Sequence, residues 1–109
     1  MKINKKIINF RGIKFFIEQD GKEVARAFLY ILKNDLHDEP FGFMEDVFVA
    51  EEYRSQGLGT KMIEELIKTA KQNNCYKLIG TSRYPRLKVH ELYLKLDFKD
   101  WGREFRIDF

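Results

Sequence analysis

The spacing of apolar residues changes near Val49, and this change constrains the fold more than any other feature of the sequence. Before it, three segments have strand-like patterns: Ile13–Gln19, Lys22–Lys33 and Phe41–Val49. Asp20-Gly21 joins the first two, and this pair favours a primed two-residue turn because both positions need positive φ. The first half of the chain is therefore predicted to be an antiparallel hairpin followed by a third strand.

The second of these strands is apolar on both faces. One face carries Ala25, Ala27, Leu29 and Ile31, and the other carries Val24, Phe28, Tyr30 and Leu32. Strands with two apolar faces are typical of sheet centres. We therefore expect this strand to be central and covered on both sides.

After Val49 the spacing becomes helical. A helix is predicted over Leu58–Asn73, with one apolar stripe formed by Met62, Ile63, Leu66, Ile67 and Ala70. Asn73-Asn74 suits its end, because asparagine tolerates the left-handed conformation.

The rest of the chain predicts a strand, a second helix and a terminal strand pair. Tyr76–Thr81 is strand-like, and the helix starts at or near Pro85. Its apolar stripe consists of Val89, Leu92, Tyr93 and Leu96. Phe98–Phe109, interrupted at Trp101-Gly102, is predicted to form the strand pair. The fold class is therefore α/β, a mixed and mostly antiparallel twisted sheet with helices on its faces and one parallel pair made by a right-handed crossover.

Composition limits the function. With 109 residues, 44% of them apolar, residues 1–109 are expected to form a single domain with a real core. The 20 basic residues exceed the 17 acidic ones only slightly and are scattered, so a nucleic-acid partner is not expected. No apolar run approaches the roughly 20 residues of a membrane span, so no membrane contact is expected. The single cysteine, Cys75, favours a reducing, cytoplasmic location.

The most informative motif is Arg54-Ser55-Gln56-Gly57-Leu58-Gly59-Thr60, which lies between a strand end and a helix start. Its glycines let the backbone approach a ligand, and the free N–H groups of a first helical turn suit a phosphate. Arg54 can add a bidentate contact. The spacing matches neither a dinucleotide fingerprint nor a Walker loop. The motif therefore predicts either another class of phosphate site or a tight turn without a ligand.

This motif resembles the acetyl-coenzyme A pyrophosphate loop of the GNAT superfamily of N-acetyltransferases. Three further stretches are similar to that superfamily in order and spacing: Glu45–Val49, Cys75–Lys77 and Leu92–Phe98. The resemblance covers about Phe41 to Phe98. It implies a GNAT-like fold with a truncated N-terminal helical part, because the first part of the chain is too short for the two helices that usually follow strand one.

The resemblance also implies a role for each matching residue. The backbone groups that would pair with the pantetheine arm like an added strand are those of Val47, Phe48 and Val49. The groups that would hold the pyrophosphate are Arg54 and the amides of Gln56, Gly57, Leu58, Gly59 and Thr60. Tyr93 matches the position of the hydroxyl that meets the departing thiolate. A tyrosine, with a pKa of about 10, can protonate a thiolate without being ionised itself at neutral pH.

Three residues depart from the family pattern. Arg86 replaces the usual asparagine of the last helix, Val89 a small residue, and Asp97 the glycine before Phe98. We expect Arg86 to contact the coenzyme or an anionic substrate, and Asp97 to take a left-handed conformation.

Other polar residues receive more ordinary interpretations. The Asp35–Glu39 loop has no spacing typical of a metal site, so no metal is expected. We expect His90 to be a surface or packing residue and Cys75 to be a small buried apolar residue.

Glu45 and Asp46 lie in an otherwise apolar strand, where a carboxylate is costly unless it is paired, hydrated or functional. Alternation places them on opposite faces. Glu45 is our candidate for the base that removes the proton of an acceptor ammonium through water. The alternative is a structural ion pair with a basic residue of the next strand.

These expectations together describe an N-acetyltransferase that moves an acetyl group from acetyl-coenzyme A, its cosubstrate, to a primary amine by direct attack. Glu45-Asp46 and Cys75–Lys77 resemble the corresponding stretches of members that acetylate small amines, including glucosamine 6-phosphate acetyltransferases, which favours a small acceptor that can carry a phosphate. Protein N-termini or lysines are the second choice. A non-catalytic acyl-coenzyme A sensor and an RNA-binding module are the alternatives of another class, and a homodimer is left open.

Overall fold

A computed structural model describes residues 1–109. Its elements in chain order are β1 (Arg11–Gln19), β2 (Lys22–Leu32), β3 (Phe41–Val49), α1 (Leu58–Gln72), β4 (Leu78–Gly80) and α2 (Leu87–Lys95). A 3₁₀ turn, Glu51–Tyr53, lies between β3 and α1. The predicted bounds of the first three strands and of the first helix are confirmed to within two residues.

The four strands form one sheet in the order β1-β2-β3-β4. The first two pairings are antiparallel, and β3 pairs with β4 in parallel. Asp20 and Gly21 have φ values of 53° and 76°, which confirms the primed hairpin turn between β1 and β2. The predicted fold class is therefore confirmed.

The core lies between one face of the sheet and α1. The core residues are Ala25, Ala27, Leu29, Ile31, Met44, Met62, Ile63, Leu66 and Ala70. Apolar residues of α2 pack against this same cluster. On the opposite face of β2, Val24 is buried but Phe28, Tyr30 and Leu32 are only half-buried, so the expectation that both faces are covered is wrong. We call this opposite face, which carries Phe28, Tyr30 and Leu32, the outer face.

Two residues after the last residue of each helix the chain has a non-glycine residue with left-handed φ, as predicted for Asn74 (61°) and Asp97 (72°). After α2, the N–H of Phe98 donates to the Tyr93 carbonyl at 3.0 Å, and the N–H of Asp97 donates to the Leu94 carbonyl at 3.2 Å. These two bonds form a Schellman motif. The motif brings the Phe98 ring onto Tyr93, with 5.3 Å between the ring centroids.

The predicted terminal strand pair is wrong. Residues 99–109 contain no strand, and all of them are exposed. Alternation of Phe105, Ile107 and Phe109 favours an extended backbone, but a strand also needs a partner, and no strand of the chain pairs with this segment.

Three smaller features complete the fold. β4 is shorter than the predicted Tyr76–Thr81, and α2 begins two residues after Pro85. Residues 1–10 form an exposed arm in which Lys6 pairs with Asp35 at 2.8 Å. Neither helix combines the length and the apolar character that crossing a bilayer requires.

Candidate active site

The sheet opens between β3 and β4. Their pairing involves only Gly42–Met44 and Leu78–Gly80. Gly80 allows this close approach, because a Cβ there would lie 2.9 Å from the Cε atom of Met44. Beyond Met44, the edge of β3 over residues 45–49 faces no strand, so its backbone groups can pair with an extended ligand.

A bulge at Asp46 changes which side chains of β3 share a face. In the β2–β3 ladder, Arg26 pairs with Phe48 and Phe28 pairs with Glu45. Between these two pairings β2 advances by two residues and β3 by three, so β3 contains one extra residue. Asp46 takes up the extra residue with φ of 50° and is exposed. The predicted alternation of Glu45 and Asp46 is therefore wrong: Glu45 belongs to the outer face, but Asp46 does not point into the core. The bulge also places Phe48 on the outer face, while Val47 and Val49 pack against the core.

The glycine loop presents a row of free donors at the start of α1. Ser55 and Gly57 have φ values of 65° and 78°, and Gly57 is the N-cap of the helix. The backbone N–H groups of residues 55–60 donate no hydrogen bond within the chain. A Cβ at Gly57 would meet nothing within 4 Å, so open space lies beside these donors. Gly59 faces β3 instead of open space. A Cβ added there would lie 3.6 Å from the Val49 side chain, which shows that α1 begins close to β3.

Arg54 connects this loop to the open strand edge. Its Nε donates to the Val49 carbonyl at 2.8 Å, which fixes the guanidinium between loop and strand. The Gln56 side chain donates to the Glu52 carbonyl at 3.4 Å. Only the Nε of Arg54 is engaged, so its remaining N–H groups can serve an anion.

Tyr93 lies half-buried on α2, on the other side of the opening. A Cβ on Gly80 of β4 would lie 3.8 Å from the Tyr93 ring and 3.6 Å from the Phe98 ring, and these two rings pack against each other. Burial raises the pKa of the Tyr93 phenol; the charge of Arg86 opposes this rise, and that of Glu45 adds to it. Tyr93 therefore keeps its proton at neutral pH.

Glu45 is half-buried and has no cationic partner within salt-bridge distance, so the alternative of a structural ion pair is wrong. Burial raises the pKa of the Glu45 carboxyl, and the charges of Asp46 and Glu104 raise it further, against a smaller opposing effect of Arg106. These influences make Glu45 a stronger base than an ordinary surface glutamate.

The remaining candidates take supporting positions. Arg86 is the exposed N-cap residue of α2, near enough to Tyr93 to influence its pKa. The Nε2 of His90 lies 2.9 Å from the Arg83 carbonyl and fastens the loop before α2, which supports the packing interpretation. Cys75 is half-buried against the core, and burial raises the pKa of its thiol. No cluster of three or more His, Cys, Asp or Glu residues that could hold a metal is present.

The sequence did not reveal a groove on the outer face of the sheet. Its volume is about 370 Å³, and its lining residues are Phe10, Tyr30, Leu32, Phe43 and Glu45. The sequence signal for this groove is the second apolar face of β2, which the apolar pattern alone predicts to be buried. An apolar strand face can be buried under a helix, or it can stay uncovered and form a binding surface.

Comparisons with known proteins agree with this arrangement. A family model described as the Acetyltransferase (GNAT) family matches residues 4–98. A glucosamine 6-phosphate N-acetyltransferase of Trypanosoma brucei brucei is 37% identical over 67 residues, which cover 62% of this chain and 44% of that protein. Streptothricin acetyltransferase A of Bacillus subtilis (strain 168) is 29% identical over 91 residues, which cover 76% of this chain and 51% of that protein. The chain therefore spans about half the length of these curated relatives.

A solved structure is similar over most of the chain. The putative acetyltransferase from Agrobacterium tumefaciens str. C58 superposes with a TM-score of 0.81 at 31% identity, covering 89% of this chain and 68% of that one.

Proposed function

Because the chain belongs to the acetyltransferase (GNAT) family, we propose that it transfers an acetyl group from acetyl-coenzyme A to a primary amine of a small molecule. The observation that carries this proposal is the row of free amide donors at residues 55–60 beside the open edge of β3. An anion suits the donors, and an extended chain suits the edge. Acetyl-coenzyme A has both parts in one molecule.

The residues that would hold the coenzyme offer the donors and the open strand edge that it requires. The loop amides and Arg54 offer donors to a pyrophosphate, with the positive end of the α1 dipole behind them. The edge Val47–Val49 offers backbone groups to the pantetheine arm, although the Val49 carbonyl already accepts one hydrogen bond from Arg54. Bound acetyl-coenzyme A would supply an activated thioester to the opening between β3 and β4.

Two side chains at this opening suit the proton transfers. Attack needs a neutral amine, and Glu45 can accept the ammonium proton directly or through one water. The raised pKa of Glu45 brings its basicity closer to neutral pH. Tyr93 keeps its own proton at neutral pH and can give it to the departing thiolate.

The choice of a small acceptor follows from the relatives. The names of both curated relatives refer to small molecules, glucosamine 6-phosphate in one case and streptothricin in the other. We therefore favour a small amine over a protein N-terminus or a lysine side chain.

Two measurements on the full chain test this function. Calorimetry is expected to detect binding of acetyl-coenzyme A, and free-thiol release is expected to depend on an added primary amine. Binding without thiol release for any small amine, protein N-terminus or lysine peptide would indicate a non-catalytic acyl-coenzyme A module. Absence of binding would contradict the proposal as a whole.

A further inference from the structure

The outer face of the sheet is divided into a charged end and an apolar end. At the charged end Glu23 pairs with Lys14 and also with Arg26, the latter at 3.5 Å. At the other end is the groove defined above, where Tyr30 faces Phe43 across the β2–β3 ladder. All ion pairs of this face lie outside the groove.

The groove is walled by aromatic rings. The Phe10 ring meets Tyr30 edge to face, with 6.4 Å between centroids and an interplanar angle of 65°. Phe28, the cross-strand neighbour of Glu45, is nearly parallel to Tyr30 at 10°. The groove has a volume of about 370 Å³ and is shallow and open to solvent, so a ligand would lie against it with one side exposed.

Glu45 is the only charged residue in the groove lining. Asp46 and Glu104 place further negative charge near the Glu45 carboxylate, because both raise its pKa. The basic group whose charge acts on Glu45, Arg106, already pairs with Asp108 at 2.7 Å. A cation therefore fits this end of the groove, whereas a phosphate would find no arginine or lysine in the lining.

The groove also ends where the chemistry is expected. Pairing of β3 with β4 stops at Met44, so Glu45 is the first residue of the open edge as well as one wall of the groove. A molecule in the groove with its ammonium at Glu45 would therefore have its nitrogen at the opening of the sheet.

We propose that the acceptor is a primary amine on an apolar, aromatic skeleton, whose ring lies against Tyr30 and Phe43 and whose ammonium faces Glu45. This inference rests on the proposed acetyltransferase function and specifies its substrate class. It replaces the expectation of a phosphorylated acceptor. An aromatic lining favours such a ligand in two ways. Contact with the lining removes apolar surface of the ligand ring from water, and the ammonium is attracted to the faces of the aromatic rings.

The first test compares three amines by thiol release with the full chain and acetyl-coenzyme A. The amines are 2-phenylethylamine, glucosamine 6-phosphate and ethanolamine, which has the amine without a ring. The kcat/KM for 2-phenylethylamine is expected to exceed each of the other two by at least about 10-fold, because its ring covers apolar surface of the groove that the other two amines leave exposed to water. Equal or higher kcat/KM for glucosamine 6-phosphate would overturn the inference and leave the proposed function standing.

The second test places a positive charge in the groove. Leu32→Lys, at the end of β2, is expected to raise the KM for 2-phenylethylamine at least about 10-fold through repulsion and lost apolar contact, with acetyl-coenzyme A affinity unchanged. Phe16→Lys is the matched control, since Phe16 faces Arg26 on the same side of the sheet, outside the groove, and is 53% exposed. Tyr30→Ser, which removes an aromatic wall, is the second variant if Leu32→Lys does not fold.

A binding measurement separates the two proposals. Calorimetry of 2-phenylethylamine with the coenzyme A-saturated protein detects the acceptor site even if no acetyl group is transferred. Binding that Leu32→Lys weakens and Phe16→Lys does not would support the inference even if the catalytic proposal failed. The inference would be overturned if 2-phenylethylamine did not bind. It would also be overturned if the chain self-associated and Leu32→Lys dissociated it without changing the amine kinetics, because the groove would then bind a second copy of the chain.

Discussion

Tyr93 and Glu45 owe their chemical properties to the same physical cause. Burial raises the pKa of both groups, and in each case it is the largest contribution. The consequences differ because the phenol is the acid and the carboxylate the base of the proposed reaction. Tyr93 is kept protonated, and Glu45 is made more basic.

Tyr93→Phe is expected to lower kcat by up to about 100-fold, because it removes one general acid and keeps the ring that packs on Phe98. Acetyl-coenzyme A affinity should change little. Steady-state kinetics and calorimetry check both parts, with Tyr76→Phe as a control on an exposed tyrosine. A wild-type kcat at every pH would exclude Tyr93 as the acid.

The pH dependence of kcat/KM reports on Glu45. The rate is expected to rise with pH as Glu45 loses its proton, with a midpoint above the ordinary glutamate range because its pKa is raised. Glu45→Gln should abolish this limb. Asp46→Asn should move the limb to lower pH, because Asp46 contributes to the raised pKa. A limb that neither variant changes would mean that the base is another group.

Stability gives Glu45 a second readout. Its pKa is higher in the folded state than in the unfolded state, so ionisation disfavours folding, and stability falls as pH rises through this interval. Glu45→Gln should therefore raise the free energy of unfolding at pH 7 relative to its effect at pH 3. Chemical denaturation at the two pH values measures this difference.

At the scale of elements, local patterns predicted what local forces decide. The Asp20-Gly21 turn, the α1 stripe and the left-handed ends at Asn74 and Asp97 all follow from neighbouring residues, and all are confirmed. The bulge at Asp46 could not be predicted, because period-two alternation has no signal for one extra residue in a ladder.

Gly57→Asn tests the glycine loop. Asparagine tolerates the positive φ of this position, but its side chain would enter the open space beside the amide donors. We expect acetyl-coenzyme A affinity to fall by at least about 10-fold with the fold intact. Gly21→Asn makes the same change at φ of 76° in the β1–β2 turn and should leave affinity unchanged. Unchanged affinity in folded Gly57→Asn would mean that the loop is only a turn.

At the scale of the whole molecule, both helices pack against one core and leave the outer face open. The sequence shows which residues are apolar, but it does not show which apolar face of the sheet a helix covers. Which face is covered depends on the side of the sheet on which α1 and α2 lie, and the pattern of one strand carries no information about that. The same limit applies to Phe98–Phe109, whose pattern predicted strands although no strand of the chain pairs with it.

Leu66→Ala tests how far stability depends on this single core. Leu66 is fully buried between α1 and the sheet, so a cavity costing about 3 kcal/mol is expected. Leu36→Ala, at a residue 86% exposed, should change the free energy of unfolding by less than about 0.5 kcal/mol. Urea denaturation measures both. A loss below about 1 kcal/mol for Leu66→Ala would contradict the packing described.

The bulge at Asp46 has a consequence for how the protein behaves among other polypeptides. An open strand edge normally invites a strand from another chain, and this is a common route to aggregation. A foreign strand laid along residues 45–49 would meet a break in backbone register and an exposed carboxylate at Asp46. A short ligand that uses only Val47–Val49 meets neither obstacle. The irregularity that turns Glu45 and Phe48 to the same face would thus discourage cross-β association while leaving the edge open for the proposed coenzyme.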